Sequence, residues 1–111
     1  MRIKQGRDFS RIRQEGRRLA SGCLIANWHR APSQAVPRLG VVTSRRIGNA
    51  VVRNRARRWL REAFRLHRHS LAQSVDLVLV ARPSIAEKDF AAVERDFLKT
   101  LRHAGLLTKA E

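Results

Sequence analysis

Acidic residues are scarce in this chain. Nine Asp and Glu stand against twenty-four Lys and Arg in 111 residues, a formal net charge of +15. There is one cysteine, Cys23, so an internal disulfide is excluded and a reducing compartment suits the chain. No apolar run reaches the roughly 20 residues a membrane span needs, and the N-terminus lacks the apolar core of a secretory signal. The expected location is the cytoplasm, with no membrane partner. Aromatics make up only 5% of the residues, and most of them fall on apolar stripes where core packing accounts for them. Sets of reactive side chains are missing as well. His67 and His69 are two apart and would point apart on a helix, while His29 and His103 are isolated. No Ser–His–Asp set, nucleotide-binding loop or CxxC motif occurs. No catalytic residue and no metal site is therefore expected of the protein itself. A chain like this supports catalysis by holding a polyanion, not by acting on a bond.

What the chain has is arginine, and it is concentrated. Between residues 38 and 68 there are ten basic residues and one acid, Glu62. Only Lys4, Lys88, Lys99 and Lys109 are lysines. Arginine is the more weakly hydrated cation and forks onto phosphate through two N–H groups. That favours nucleic acid over a diffuse solubilising charge. The centre of the segment reads as a helix over 50–69, led in by Gly48-Asn49. Wound at about 100° per residue, Val52, Ala56, Trp59, Leu60, Ala63, Phe64 and His67 gather on one side. Asn54, Arg57, Arg58, Arg61, Arg65 and Arg68 gather on the other, with Arg53 and Arg55 on the flanks. A merely solvated helix face mixes signs into i,i+4 pairs. Here Arg53, Arg57 and Arg61 repeat one sign at that spacing, which makes sense if a polyanion neutralises them. A membrane-surface helix is the competing reading, and the flanking strands argue against it.

The flanks read as an α+β domain. Asp8 is a plausible N-cap of a short first helix with Phe9, Ile12 and Arg13 on its inner side and Gly16 as its end. Residues 18–30 read as two short strands broken near Ser21-Gly22, with Cys23 in a strand and in the core. Residues 32–37 form a loop, 38–44 a strand, and 76–82 a continuous apolar strand buried on both faces. A last helix over 87–103 carries Phe90, Val93, Phe97, Leu98 and Leu101 at helical spacing, with Gly105 as its stop. Its early acids, Glu87, Asp89, Glu94 and Asp96, suit a helix start and make it the least RNA-like surface of the chain. Phe9 and Trp28 each remain open between core packing and stacking on a base. The whole, residues 1–111, reads as one domain: a small sheet with helices packed on it.

The run Gly40-Val41-Val42-Thr43-Ser44-Arg45-Arg46-Ile47-Gly48-Asn49-Ala50-Val51-Val52-Arg53-Asn54-Arg55, continued by Arg58 and Arg61-Glu62-Ala63-Phe64-Arg65, resembles the signature of the bacterial ribonuclease P protein subunit. Arg53-Asn54-Arg55 matches that family's Arg-Asn-Arg hallmark. Phe9 and Gly16 fit its first-helix spacing, and residues 76–82 fit its Asp-apolar-Ala-Arg strand. The resemblance implies an αβββαβα sandwich, ribosomal-protein-S5-domain-2-like, with a left-handed β-α-β crossover where about 98% of crossovers are right-handed. It implies a protein that binds the catalytic RNA of ribonuclease P, one protein per RNA, and helps it remove the 5′ leader of precursor tRNA. The hydrolytic centre and its Mg²⁺ would belong to the RNA, with no cofactor on the protein and no DNA partner. Arg45, Arg46, Asn49, Arg53, Asn54, Arg55, Arg57, Arg58, Arg61 and Arg65 would lie at or near the catalytic RNA. Phe9, Arg13, Asn27 and Thr43 would line a cleft for the leader. In that cleft Arg13 stands where many relatives carry an aromatic, Asn27 where a tyrosine is frequent, and Thr43 where valine is usual. Arg45-Arg46 replaces a common Lys-Lys. These departures imply a cleft that grips by charge and hydrogen bonds more than by stacking. Two other classes compete: a ribosomal-type RNA-binding protein with no substrate, and a protein-only nuclease.

Overall fold

The computed structural model describes residues 6–30, 36–71 and 74–108, with side chains from Ser10 onward. The order is α1 (Gly6–Glu15), β1 (Arg17–Ser21), β2 (Leu24–Arg30), β3 (Arg38–Val42), α2 (Ala50–His67), β4 (Val75–Ala81) and α3 (Phe90–His103). That is αβββαβα. Among the described residues the strands form one sheet in the order β1-β2-β4-β3. β1 and β2 are antiparallel, β2 and β4 are antiparallel, and β3 and β4 are parallel. The parallel pair forces a crossover, and α2 is that crossover.

Strand alternation divides the sheet into two faces. On one, Val75, Leu77, Leu79 and Ala81 of β4 join Leu24, Ala26 and Trp28 of β2 and Leu39 of β3. α2 covers them with Ala56, Leu60, Ala63 and Phe64, and α3 with Val93, Phe97 and Leu101. Trp28 is 7% exposed and belongs to this core. On the other face α1 sets Ile12, 1% exposed, against Val78, with Val42 and Val80 partly open beside it. A single core face and a half-open second face are thus built into one sheet.

Asp76 sits at the head of β4, buried to 1% exposure. A lone carboxylate there is costly. Arg38 of the neighbouring strand satisfies it through two bonds, Nε to Oδ1 at 2.8 Å and Nη2 to Oδ2 at 2.7 Å. The register Arg38↔Asp76 makes this pair also a marker of how β3 and β4 align. Gly16, just past α1, has a different constraint. A Cβ there would lie 2.2 Å from the carbonyl oxygen of Trp28, so only glycine allows α1 to turn directly into β1.

Several expectations shift. Asp8 is the third residue of α1 and not its cap, because the helix already runs from Gly6. Arg13 is exposed and not on the inner side; a guanidinium with no acid partner stays in water. Cys23 is in the turn between β1 and β2, not in a strand, though fully buried. α2 ends at His67 and gives way to a 3-10 turn, Arg68–Ser70. α3 starts at Phe90 with Asp89 as cap, and Glu87 ends a 3-10 turn, Pro83–Glu87, that Pro83 begins. The expected loop over 32–37 lies mostly outside the described residues.

Burial, helped by a hydrogen bond with the Asp96 carboxylate and by its charge, pushes the Cys23 thiol from 9.0 up to about 12. The folded protein should therefore resist thiol labelling at pH 8 and react at the free-thiol rate only in denaturant. Equal rates in both states would contradict the burial. The sign of the linkage is fixed too. Above pH 9 the unfolded thiol ionises and the folded one does not, so this contribution to stability is lost as pH rises from about 9 towards 12.

Candidate nucleic-acid interface

The approach to α2 is built by short polar caps. Ser44 is extended and its Oγ accepts from the Arg46 N–H at 3.3 Å, which starts the 3-10 turn Arg45–Ile47. Ile47, 3% exposed, anchors that turn in the core and leaves Arg45 and Arg46 exposed. Gly48 adopts φ +146, a conformation that favours glycine. Asn49 then caps α2, its Oδ1 accepting from the Val52 N–H at 3.1 Å. Its carbonyl oxygen is therefore engaged, and only its amide NH₂ is left to reach outward.

Packing sorts the arginines of α2 into distinct sets. Arg53 bends back to the Gly48 carbonyl at 3.2 Å, closing the helix start. Arg57 donates to the Thr43 hydroxyl and to the Asn54 side-chain carbonyl, so it spans from the helix to the end of β3. Arg61 is half-buried next along the same side, and Arg58 is exposed on the outward face. Arg65 forms a fork with Glu62 at 2.8 and 2.6 Å, on a surface where the two side chains are 62% and 42% exposed. The hydrogen bond from Arg65 holds the Glu62 carboxyl below its ordinary range. Arg55 points elsewhere. Two residues on from Arg53, it lies about 200° around the helix. Its Nη2 donates to the Ala86 carbonyl at 3.2 Å, and its guanidinium sits 5.1 Å from the Trp59 ring centre. Trp59 is half-buried beneath it.

Of the residues expected to line a leader cleft, Asn27 lies on the half-open sheet face. Asn27 of β2 pairs in register with Val78, the residue Ile12 covers. Thr43 follows β3, and its hydroxyl accepts from Arg57 of α2. Arg13 is exposed on α1. Phe9 lies within α1, with its side chain outside the described residues. The structure thus places Thr43 beside Arg57 of α2 and Asn27 on the sheet face that α1 covers. The Arg38–Asp76 pair is on the same sheet face, in register with His29 of β2. Sequence reasoning does not single it out, although an acid heading an apolar strand signals the need for a partner.

This geometry has known counterparts. The Ribonuclease P family model matches residues 1–105. The chain belongs to the ribonuclease P protein family. It is 40% identical over 111 residues to the ribonuclease P protein component of Chloroflexus aggregans, covering 99% of this chain and 82% of that protein. It is 38% identical over 106 residues to that of Gluconacetobacter diazotrophicus, covering 95% and 91%. Among solved structures, the Staphylococcus aureus RNase P protein superposes with a TM-score of 0.89 at 27% identity over 96% of each chain. The Thermotoga maritima RNase P protein superposes with a TM-score of 0.82 at 30% identity, over 93% of this chain and 96% of that one. Family membership makes the chain an RNA-binding component of the endonuclease that matures tRNA 5′ ends, and it removes the ribosomal alternative. No described helix is long and apolar enough to cross a membrane.

The two settings of arginine on α2 give a testable contrast. Arg55→Ala loses a charged hydrogen bond to a carbonyl and a cation–π contact, and should cost about 1–2 kcal/mol in urea unfolding. Arg58→Ala should stay within about 0.5 kcal/mol of the parent protein while weakening RNA binding. Equal unfolding midpoints would contradict the separation of the two flanks.

Proposed function

We propose that this protein works as a charge-bearing partner of a catalytic RNA, in a one-to-one complex, and that the bond-breaking groups lie in the RNA. Arg45, Arg46, Asn49, Arg53, Asn54, Arg57, Arg58, Arg61 and Arg65 face the catalytic RNA. Arg55, on the other flank and held to the Ala86 carbonyl, completes that RNA-binding set. Phe9, Arg13, Asn27 and Thr43 line the path of the precursor-tRNA leader.

One observation carries the reading. Arg57 bonds Asn54 on the helix and Thr43 just past β3 with the same guanidinium. On this reading the RNA face and the leader path meet at Thr43, and a single protein can touch catalytic RNA and leader together. Bringing those two polyanions close is opposed by their charge, and arginines between them lower that opposition. Gripping the leader adds affinity for the precursor that the mature product lacks, which eases product release. The Mg²⁺ of the reaction is assigned to the RNA.

Precursor-tRNA cleavage at low millimolar Mg²⁺ tests this with catalytic RNA alone, protein alone and both together. Strong stimulation only in the mixture is expected, along with tighter binding of precursor than of mature tRNA. Cleavage by protein alone would overturn the assignment of chemistry to the RNA. Equal tightening of precursor and mature tRNA would overturn the leader grip.

A further inference from the structure

The acids of α3 and its approach made that helix look unsuited to RNA. The structure gives three of these acids tasks within the fold. Asp89 caps the helix, its Oδ1 accepting from the Ala92 N–H at 2.8 Å. Glu94 meets His67 of α2 at 2.7 Å. Asp96 accepts from the backbone N–H of Cys23 at 3.0 Å, tying α3 to the β1–β2 turn. Glu87 precedes the helix altogether. What remains on the outward side of α3 is basic: Arg95, Lys99, Arg102 and His103 are all exposed. They border a shallow groove whose lining also includes Ala91, Leu98 and Glu94, the last paired with His67. Among the described residues no hydrogen bond or ion pair engages Arg95 or Lys99.

The spacing is that of the arginines on α2. Arg95 and Lys99 are an i,i+4 pair and stand about 6 Å apart along the axis. Like charges at that spacing destabilise a helix by themselves. A partner that presents closely spaced negative charge along a line relieves the repulsion, and a nucleic-acid backbone does so without ordering side chains of its own. The position favours RNA as well. α2 packs against β3, α3 packs against β1 and β2, and the two helices touch. The two basic surfaces are thus on neighbouring helices over different parts of the sheet.

We propose that the outward face of α3 is a second RNA-binding surface, with Arg95 and Lys99 holding phosphates of a segment of the catalytic RNA distinct from the one on α2. This rests on the RNA partnership of the preceding subsection. The protein would then fix two RNA segments relative to each other, as well as bind one.

The test uses the full protein with the catalytic RNA. The Arg95→Gln/Lys99→Gln double variant is compared with Arg58→Gln and the parent protein in binding across a salt series and in hydroxyl-radical footprinting. Melting temperature checks that each variant is folded. The expected result for the double variant is about tenfold weaker binding, with a log–log salt slope smaller by about 2. It should also lose a set of protected nucleotides that Arg58→Gln keeps. Unchanged affinity and protections in the double variant, with losses in Arg58→Gln, would overturn the α3 surface and leave the proposed function standing. Weaker binding with every protection retained would overturn it too, since net charge alone gives that. No loss in either variant would overturn both readings.

Discussion

Burial of one edge of α2 against the sheet fixes where every arginine of that helix points. Ala56, Leu60, Ala63 and Phe64 are each 5% exposed or less, so the helix cannot rotate about its axis without opening the core. At 3.6 residues per turn the rest is determined. Arg57 reaches the end of β3, Arg58 faces outward, and Arg55 falls on the opposite flank over Trp59. The parallel pairing of β3 with β4 gives this helix its place, since only a crossover connects such strands. Fold and interface are therefore one construction: the same rotation that completes the core aims the cations.

The second constraint is the shortage of acid. Nine carboxylates cannot neutralise twenty-four cations, and those with described partners are engaged at particular points. Asp76 holds Arg38 and aligns two strands, Asp96 holds the β1–β2 turn, Glu94 joins α3 to α2, and Glu62 pairs with Arg65. Apart from Glu62, each of these carboxylates joins two elements of the fold. The outer surfaces of both packed helices carry more cations than acids. Such a surface repels itself, and the folded state gains when an anion occupies it.

Much of this was legible in the sequence. The apolar and basic sides of α2 follow from spacing alone, and all four of its deeply buried residues were on the expected side. The four strands and three helices were expected in their order. The Arg-Asn-Arg run and its flanks carried the family resemblance, which the comparisons support. Less legible was what individual polar groups do once neighbours arrive. Nothing local says that Arg55 turns to the Ala86 carbonyl, because that partner is 31 residues away. Likewise the acids of α3 read as a helix-start pattern, whereas Glu94 and Asp96 answer to His67 and to the Cys23 backbone. Helix ends were off by a few residues where 3-10 turns at 68–70 and 83–87 took over. Those turns are set by packing of Ser70 and Ile85 into the interior, which spacing along the chain does not encode.

The central claim is that the basic face is an anion site whose self-repulsion is relieved by its ligand. The most direct measurement is thermal unfolding of the free protein in low millimolar sulfate and in chloride at matched ionic strength. The account predicts a melting temperature that rises with sulfate beyond the chloride control, and an increase that shrinks in Arg57→Ala. Coincident curves in the two salts would contradict it.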